Sequence, residues 1–299
     1  MAFSSSVIPL GLARLKRSSG WQDLGNWHWR ESFSFVSHGV ETTLQVTEPA
    51  ALLPIKLRLP PGWREAKDSN AQPEYSLVVG NEIAPAGLDR LHLLFRGVSL
   101  IAAAYKLEPV LGALESELDR RVASLAGPER IFIRAGVAGW RGRAIVVCGG
   151  PQSGTSTLVA ALLRAGASYY SDQYAVLDYD GRVHPYAREL WLCTGAHVNP
   201  VRYRPEELGA RCGTQALEIG TAIFAIYRPG ARSKFAAVTA ATAGAEMMGH
   251  AVSDRLDMRA AQAAIDKALA RAWILKGVRG EAQELVNLLL RPSAGRSLH

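Results

Sequence analysis

Apolar and polar residues alternate in "SFSFVSHGVETTLQV" (32–46), with Phe33 and Phe35 before Gly39 and Thr43 and Gln45 after it. A period of two predicts a pair of strands turning at or near that glycine. "AALLPIKLRLPPGW" (50–63) predicts a short helix that stops at Pro60-Pro61, because proline lacks the N–H and restricts the residue before it. "EYSLVVG", "LHLLFRG" and "VSLIAAAY" are three further strands. The period then becomes helical, with Leu107, Val110, Leu111, Leu114, Leu118 and Val122 on one face. Gly127-Pro128 punctuates the chain there and sets a soft boundary. Residues 1–127 read as a smaller mixed α+β domain of unknown role and 128–299 as a second α/β domain.

In the second part "RIFIRAGVAGW" and "GRAIVVCGG" are strand-like around Arg141-Gly142, and "AVLDYDGRVHPY" carries the hairpin dipeptide Asp180-Gly181. "TAIFAIYRPG" is a strand ending in a Pro-Gly turn. "SDRLDMRAAQAAIDKALARAWIL" and "GEAQELVNLLL" are helical by period.

A length of 299 residues gives room for one large domain or two ordinary ones. The net charge of +7 is spread over scattered arginines, which suits solubility and anionic ligands, and no aromatic-and-basic motif supports nucleic acid. Cys148, Cys193 and Cys212 are far apart and form no CxxC pair, which speaks against a zinc site or a disulfide framework and fits a cytoplasmic protein. "VIPLGLA" near the start is short, holds Pro9 and has its charges after it, so it does not read as a signal peptide. No segment approaches the roughly 20 apolar residues of a membrane span.

The stretch "VVCGGPQSGTSTLVAALLRAG" (146–166) changes the picture. An apolar run leads into a glycine loop, and a helix follows with Leu158, Ala161, Leu162 and Ala165 on one face and Gly166 suited to its end. The phosphate-binding pattern GxxxxGK[ST] is met by Gly149, Gly154 and Ser156, but Thr155 stands at the lysine position. Gly149, Gly150, Ser153, Gly154, Thr155, Ser156 and Thr157 are thus the candidate phosphate contacts. Glycines let amides turn inward around an anion, and a helix start adds positive potential. The Ser156 hydroxyl is a candidate Mg²⁺ ligand. Asp172, at the end of the next strand, is a candidate metal ligand or base. The bland alternatives are an ordinary strand-to-helix turn for the loop and a solvent-facing turn for the acid.

From Ala135 to Leu190 the order of strand, glycine loop, helix, "RAG", strand, acid and hairpin resembles the HPr kinase/phosphorylase-like serine kinases. "YRPGA" and "LKGVRGEAQELVNLLL" extend the resemblance weakly. It implies a P-loop domain with a mixed sheet and helices, ATP and Mg²⁺ as cofactors, and γ-phosphoryl transfer to a hydroxyl on a peptide, protein or small molecule. Hexamers occur among the resembling kinases, so the resemblance allows a homo-oligomer. It does not cover the family's usual N-terminal domain, and carries no HPr substrate with it.

Three positions depart from the family. Its active members carry lysine at Thr155, usually a second acid at Gln173, and a histidine aligned with or next to Arg134. Threonine supplies no charge, Gln173 binds no metal as an anion, and Arg134 cannot act as a base near neutral pH. Either Arg134 compensates for Thr155 and ATP is still bound, or the fold persists as a catalytically inactive binding or scaffold module. Elsewhere His184, before Pro185, reads as a structural turn residue, and the other histidines show no metal spacing. Arg228 and Arg232 read as surface charge, Met247-Met248 as packing, and Trp21, Trp27 and Trp29 as buried in the first domain.

Overall fold

The computed structural model describes residues 27–66, 71–80, 90–150, 153–192, 201–252 and 254–290. The apolar run at 7–13, Trp21, Cys193 and His197 lie outside the described residues. The chain divides after Val122 into two compact units, a few residues before Gly127-Pro128.

The first unit is built on a six-stranded sheet of β1 (Glu31–Ser37), β2 (Val40–Val46), β3 (Arg64–Glu65), β4 (Tyr75–Val78), β5 (His92–Arg96) and β6 (Ser99–Ala104), in the order β3-β1-β2-β4-β5-β6. The β1–β2 hairpin turns at His38 and Gly39, both at positive φ, as a tight two-residue turn requires. Helices α1 (Leu52–Lys56) and α2 (Leu107–Leu125) supply Ile55, Val110, Leu114 and Leu118 to a core with Phe33, Phe35 and Leu44. α1 ends at Lys56, earlier than the prolines predict, and just beyond it the Arg58 guanidinium donates to the Pro54 carbonyl at 3.0 Å. Trp27 and Trp29 pack against Leu93 and Phe95 within this unit.

The second unit holds an eight-stranded mixed sheet. Its strands are β7 (Ile131–Trp140), β8 (Arg143–Cys148), β9 (Ser168–Ser171), β10 (Tyr174–Leu177), β11 (Arg182–His184), β14 (Leu217–Tyr227), β15 (Lys234–Ala237) and β16 (Trp273–Arg279). A separate pair is formed by β12 (Leu190–Leu192) and β13 (Val201–Tyr203). The main order is β11-β10-β7-β8-β14-β16-β15, with β9 also paired to β7. β8, β14 and β16 run parallel, so Cys148, Tyr227 and Arg279 finish at one edge of the sheet.

Helices α3 (Thr155–Arg164), α4 (Ala240–Met248), α5 (Met258–Leu269) and α6 (Ala282–Leu290) complete the unit. Leu158 and Leu162 of α3 and Leu285 and Leu289 of α6 pack on one face of the sheet with Ile145, Val147 and Ile223. Met247 of α4 and Ala261, Ala264 and Ile265 of α5 pack on the other with Ile133, Val146 and Phe224. The one misassigned element is β16, whose first residues, Trp273 to Leu275, read as a continuation of the preceding helix. This short apolar run directly follows the helical stretch, and period alone does not separate so short a run from a helix.

Candidate functional site

β8 lies between β7 and β14, so its Val146, Val147 and Cys148 are all buried. Burial pushes the Cys148 thiol up to about 12, which leaves it inert as a nucleophile. Beyond Cys148 the chain bends at Gly149 and Gly150, and residues 151–152 lie outside the described residues. The Ser153 amide donates to the Gly150 carbonyl at 3.1 Å. Gly154 is left-handed (φ 74°, ψ 25°) and forms the N-cap of α3, a conformation glycine takes without steric cost. α3 therefore begins at Thr155, and the amides of Thr155, Ser156 and Thr157 have no acceptor within the helix. Its positive end faces the bend. Ser153 and Thr155 join their hydroxyls at 2.9 Å, and a Cβ on Gly149 would overlap Ser153 Oγ, so the loop curls closely on itself.

Asp172 is placed by a break in the sheet. β9 and β10 both pair with β7, and the two-residue link Asp172-Gln173 joins them. Ser171 Oγ holds the link by accepting from the amides of Gln173 (3.2 Å) and Tyr174 (3.0 Å). The Asp172 side chain is buried and accepts from Tyr169 Oη at 3.1 Å, and the Ser156 hydroxyl and the amides of Trp191 and Asp172 itself lie near enough to favour its charged form. Burial is the larger influence and raises its carboxyl to about 6, while those donors hold it from rising further. The Tyr169 phenol, itself fully buried, is pushed well above the usual tyrosine range, first by burial and then by the Asp172 charge.

The β7–β8 register pairs Ala135 with Cys148, so Arg134 falls at the level of Gly149. A Cβ on Gly136 would meet Val159 Cγ2 at 2.5 Å and Thr155 Cγ2 at 2.7 Å, with Asp172 Cα at 3.8 Å. Gly136 thus lets the start of α3 close onto β7, and Arg134, two residues earlier, lies on the same face of the strand. Arg134 is exposed, and no carboxylate among the described residues pairs with it. Gln173 is half-buried, and its carbonyl accepts from the Ala135 amide at 3.2 Å. The start of α3 with Ser156 is thereby brought near Asp172, while Thr157 is exposed at the first turn of α3.

Two contributors escape a sequence reading. Tyr169 looks like an ordinary strand residue, and Arg279 lies in the strand whose beginning reads as a helix. Arg279 is buried and donates to the carbonyls of Gly154 (2.8 Å), Ser153 (3.3 Å) and Gly280 (2.9 Å). Its guanidinium stands 4.7 Å from the centre of the Tyr227 ring. Arg228 and Arg232 are exposed. His184 bonds Asp178 at 2.7 Å across the β10–β11 hairpin, and Met247 is fully buried.

Among the described residues no three His, Cys, Asp or Glu side chains gather as a metal cage. The Ser156 hydroxyl and the Asp172 carboxylate do form a pair of hard oxygen donors beside the loop. Such a pair suits Mg²⁺, which takes one or two protein ligands and fills its shell with water and substrate phosphate. Glycine backbone, a helix start and a buried guanidinium suit an anion next to it. No helix of the described residues is long and apolar enough to cross a membrane. No protein-family model matches this chain, and no curated protein matches it.

Proposed function

We propose that the second unit is an ATP-binding P-loop domain related to the HPr-kinase-like serine kinases. The reaction its residues suit is transfer of the γ-phosphoryl group to a hydroxyl of a peptide, protein or small molecule. The observation that carries the reading is the glycine loop that opens α3 at Gly154 with the buried Asp172 beside that helix start, next to the ends of the parallel strands. Ligands of open α/β sheets bind at that edge.

In this reading the amides of Gly149, Gly150, Ser153, Gly154, Thr155 and Ser156, at the start of α3, hold the phosphates. Ser156 and Asp172 hold Mg²⁺, which when bound neutralises developing charge on the phosphoryl oxygens. In the alternative role, free of metal, Asp172 has a carboxyl raised by burial to about 6, an anion at neutral pH and still basic enough to take the proton of an acceptor hydroxyl. Exposed Arg134 at the level of Gly149 adds positive charge at the mouth of the loop.

A second reading drops phosphoryl transfer and keeps the fold as a binding or scaffold module. It is favoured by Thr155, whose hydroxyl is engaged by Ser153 and brings no charge. Thermal shift with ATP and Mg²⁺ decides first whether the loop is a nucleotide site. A rise of several degrees at many times Kd supports it, and no rise overturns the ATP-binding reading and leaves the scaffold module. Loss of γ-phosphate from ATP in the presence of hydroxyl acceptors then separates the kinase from the silent module.

A further inference from the structure

The second unit buries a full positive charge directly behind the loop. Arg279 is 2% exposed and forms no ion pair among the described residues, the carboxylate of Glu281 acting on it only through its field. An arginine remains charged even when buried, so its site must answer that charge with acceptors. The acceptors are main-chain carbonyls, and two of the three belong to consecutive loop residues, Ser153 and Gly154. In a trans peptide the N–H points away from the C=O. Holding the Ser153 carbonyl on Arg279 therefore aims the Gly154 amide to the opposite side. Holding the Gly154 carbonyl does the same for the Thr155 amide. A Cβ on Gly154 would overlap Arg279 Nη2, so this glycine is required by the guanidinium as well as by its positive φ.

We propose that Arg279 is the positioning residue of the loop, fixing the Gly154 and Thr155 amides toward an anion and supplying, from behind the main chain, the positive charge that a lysine at position 155 would supply from in front. The ligand class is a di- or triphosphate, and the inference rests on the reading of the loop as an anion site. Arg279 touches the loop's carbonyls and acts on the anion through them and through its field.

The test is calorimetric titration of pyrophosphate into the whole chain as wild type, Arg279→Gln, Arg279→Lys and the double variant Arg279→Gln/Thr155→Lys, with amide exchange of residues 153–157 followed without ligand. The expected results are at least tenfold weaker binding for Arg279→Gln, recovery of most of that loss in the double variant, and faster loop exchange in Arg279→Gln. A purely packing role would leave the added lysine without effect. A folded Arg279→Gln protein that binds within twofold of wild type overturns the proposal, as does a double variant no tighter than Arg279→Gln. If circular dichroism shows Arg279→Gln unfolded, Arg279→Lys decides. It keeps the charge but loses the planar fork, so threefold to tenfold weaker binding is expected and unchanged binding overturns the proposal. If the wild type binds no pyrophosphate, the anion-site reading falls by itself. Exchange then judges Arg279 separately, with equal rates in wild type and Arg279→Lys overturning its hold on the loop and faster rates in the variant supporting it.

Discussion

Tyr169 donates its buried hydroxyl to Asp172 Oδ1 at 3.1 Å, and the Ser156 hydroxyl lies near the same carboxyl. The carboxyl thus sits between β9 and the first turn of α3, so the protonation of one acid bears on both stability and ligand binding. Asp172 sits near 6 in the folded chain against an ordinary value of 3.8. Below about pH 4 it is protonated in both states. Between about 4 and 6 the unfolded chain releases the proton first, which favours unfolding as pH rises. Above about 6 the full cost is present, on the order of 3 kcal/mol. Asp172→Asn carries no such titration. Denaturant unfolding from pH 4 to 7 is expected to show the variant gaining on wild type by about that amount, and parallel curves would contradict it.

Tyr169→Phe removes one donor from the buried carboxyl. The loss is expected to cost about 1–3 kcal/mol at neutral pH, where the carboxylate is charged. It also raises the Asp172 carboxyl further, so the pH midpoint of the stability difference moves up. Urea unfolding at several pH values measures both effects, and an unmoved midpoint would exclude the phenol as a partner of the ionised acid.

Gly136→Ala drives a methyl into Val159 and Thr155, both branched at Cβ and both on α3. Overpacking of this kind costs about 1–3 kcal/mol. The start of α3 is expected to move away from β7 and ATP binding to weaken with it. Adding Val159→Ala opens room and should restore part of the stability. Stability unchanged by the single substitution would show that the helix start is not seated on Gly136.

Arg134→Ala separates field from framework. The side chain is exposed and the backbone amide, which donates to the His250 carbonyl at 2.9 Å, is retained. Stability is expected to stay within about 0.5 kcal/mol, while ATP binding weakens several-fold and more so at low salt. Equal affinity at low and high salt would remove Arg134 from the site.

Much of this was legible in the chain because its signals are local. Gly39, Arg141-Gly142 and Asp180-Gly181 close the hairpins they announce, and Gly166 follows the end of α3 at positive φ. The helical period over Leu107–Leu125 and the strand–glycine–helix order around Gly154 are likewise written in neighbouring residues. What stayed hidden depends on distant pairing. β16 is a strand because it lies beside β14, and Arg279 matters because that pairing ends it behind a loop more than a hundred residues earlier. Asp172 could be named from its place after a strand, but its acidity follows from burial and from donors on Ser156, Tyr169 and Trp191.

The most direct measurement is calorimetric titration of the whole chain with ATP, with and without Mg²⁺, alongside Ser156→Ala. One saturable site, tightened by Mg²⁺ in the wild type and indifferent to Mg²⁺ in Ser156→Ala, is the predicted result. Absence of binding heat at millimolar ATP, together with no thermal shift, would contradict the account at its centre.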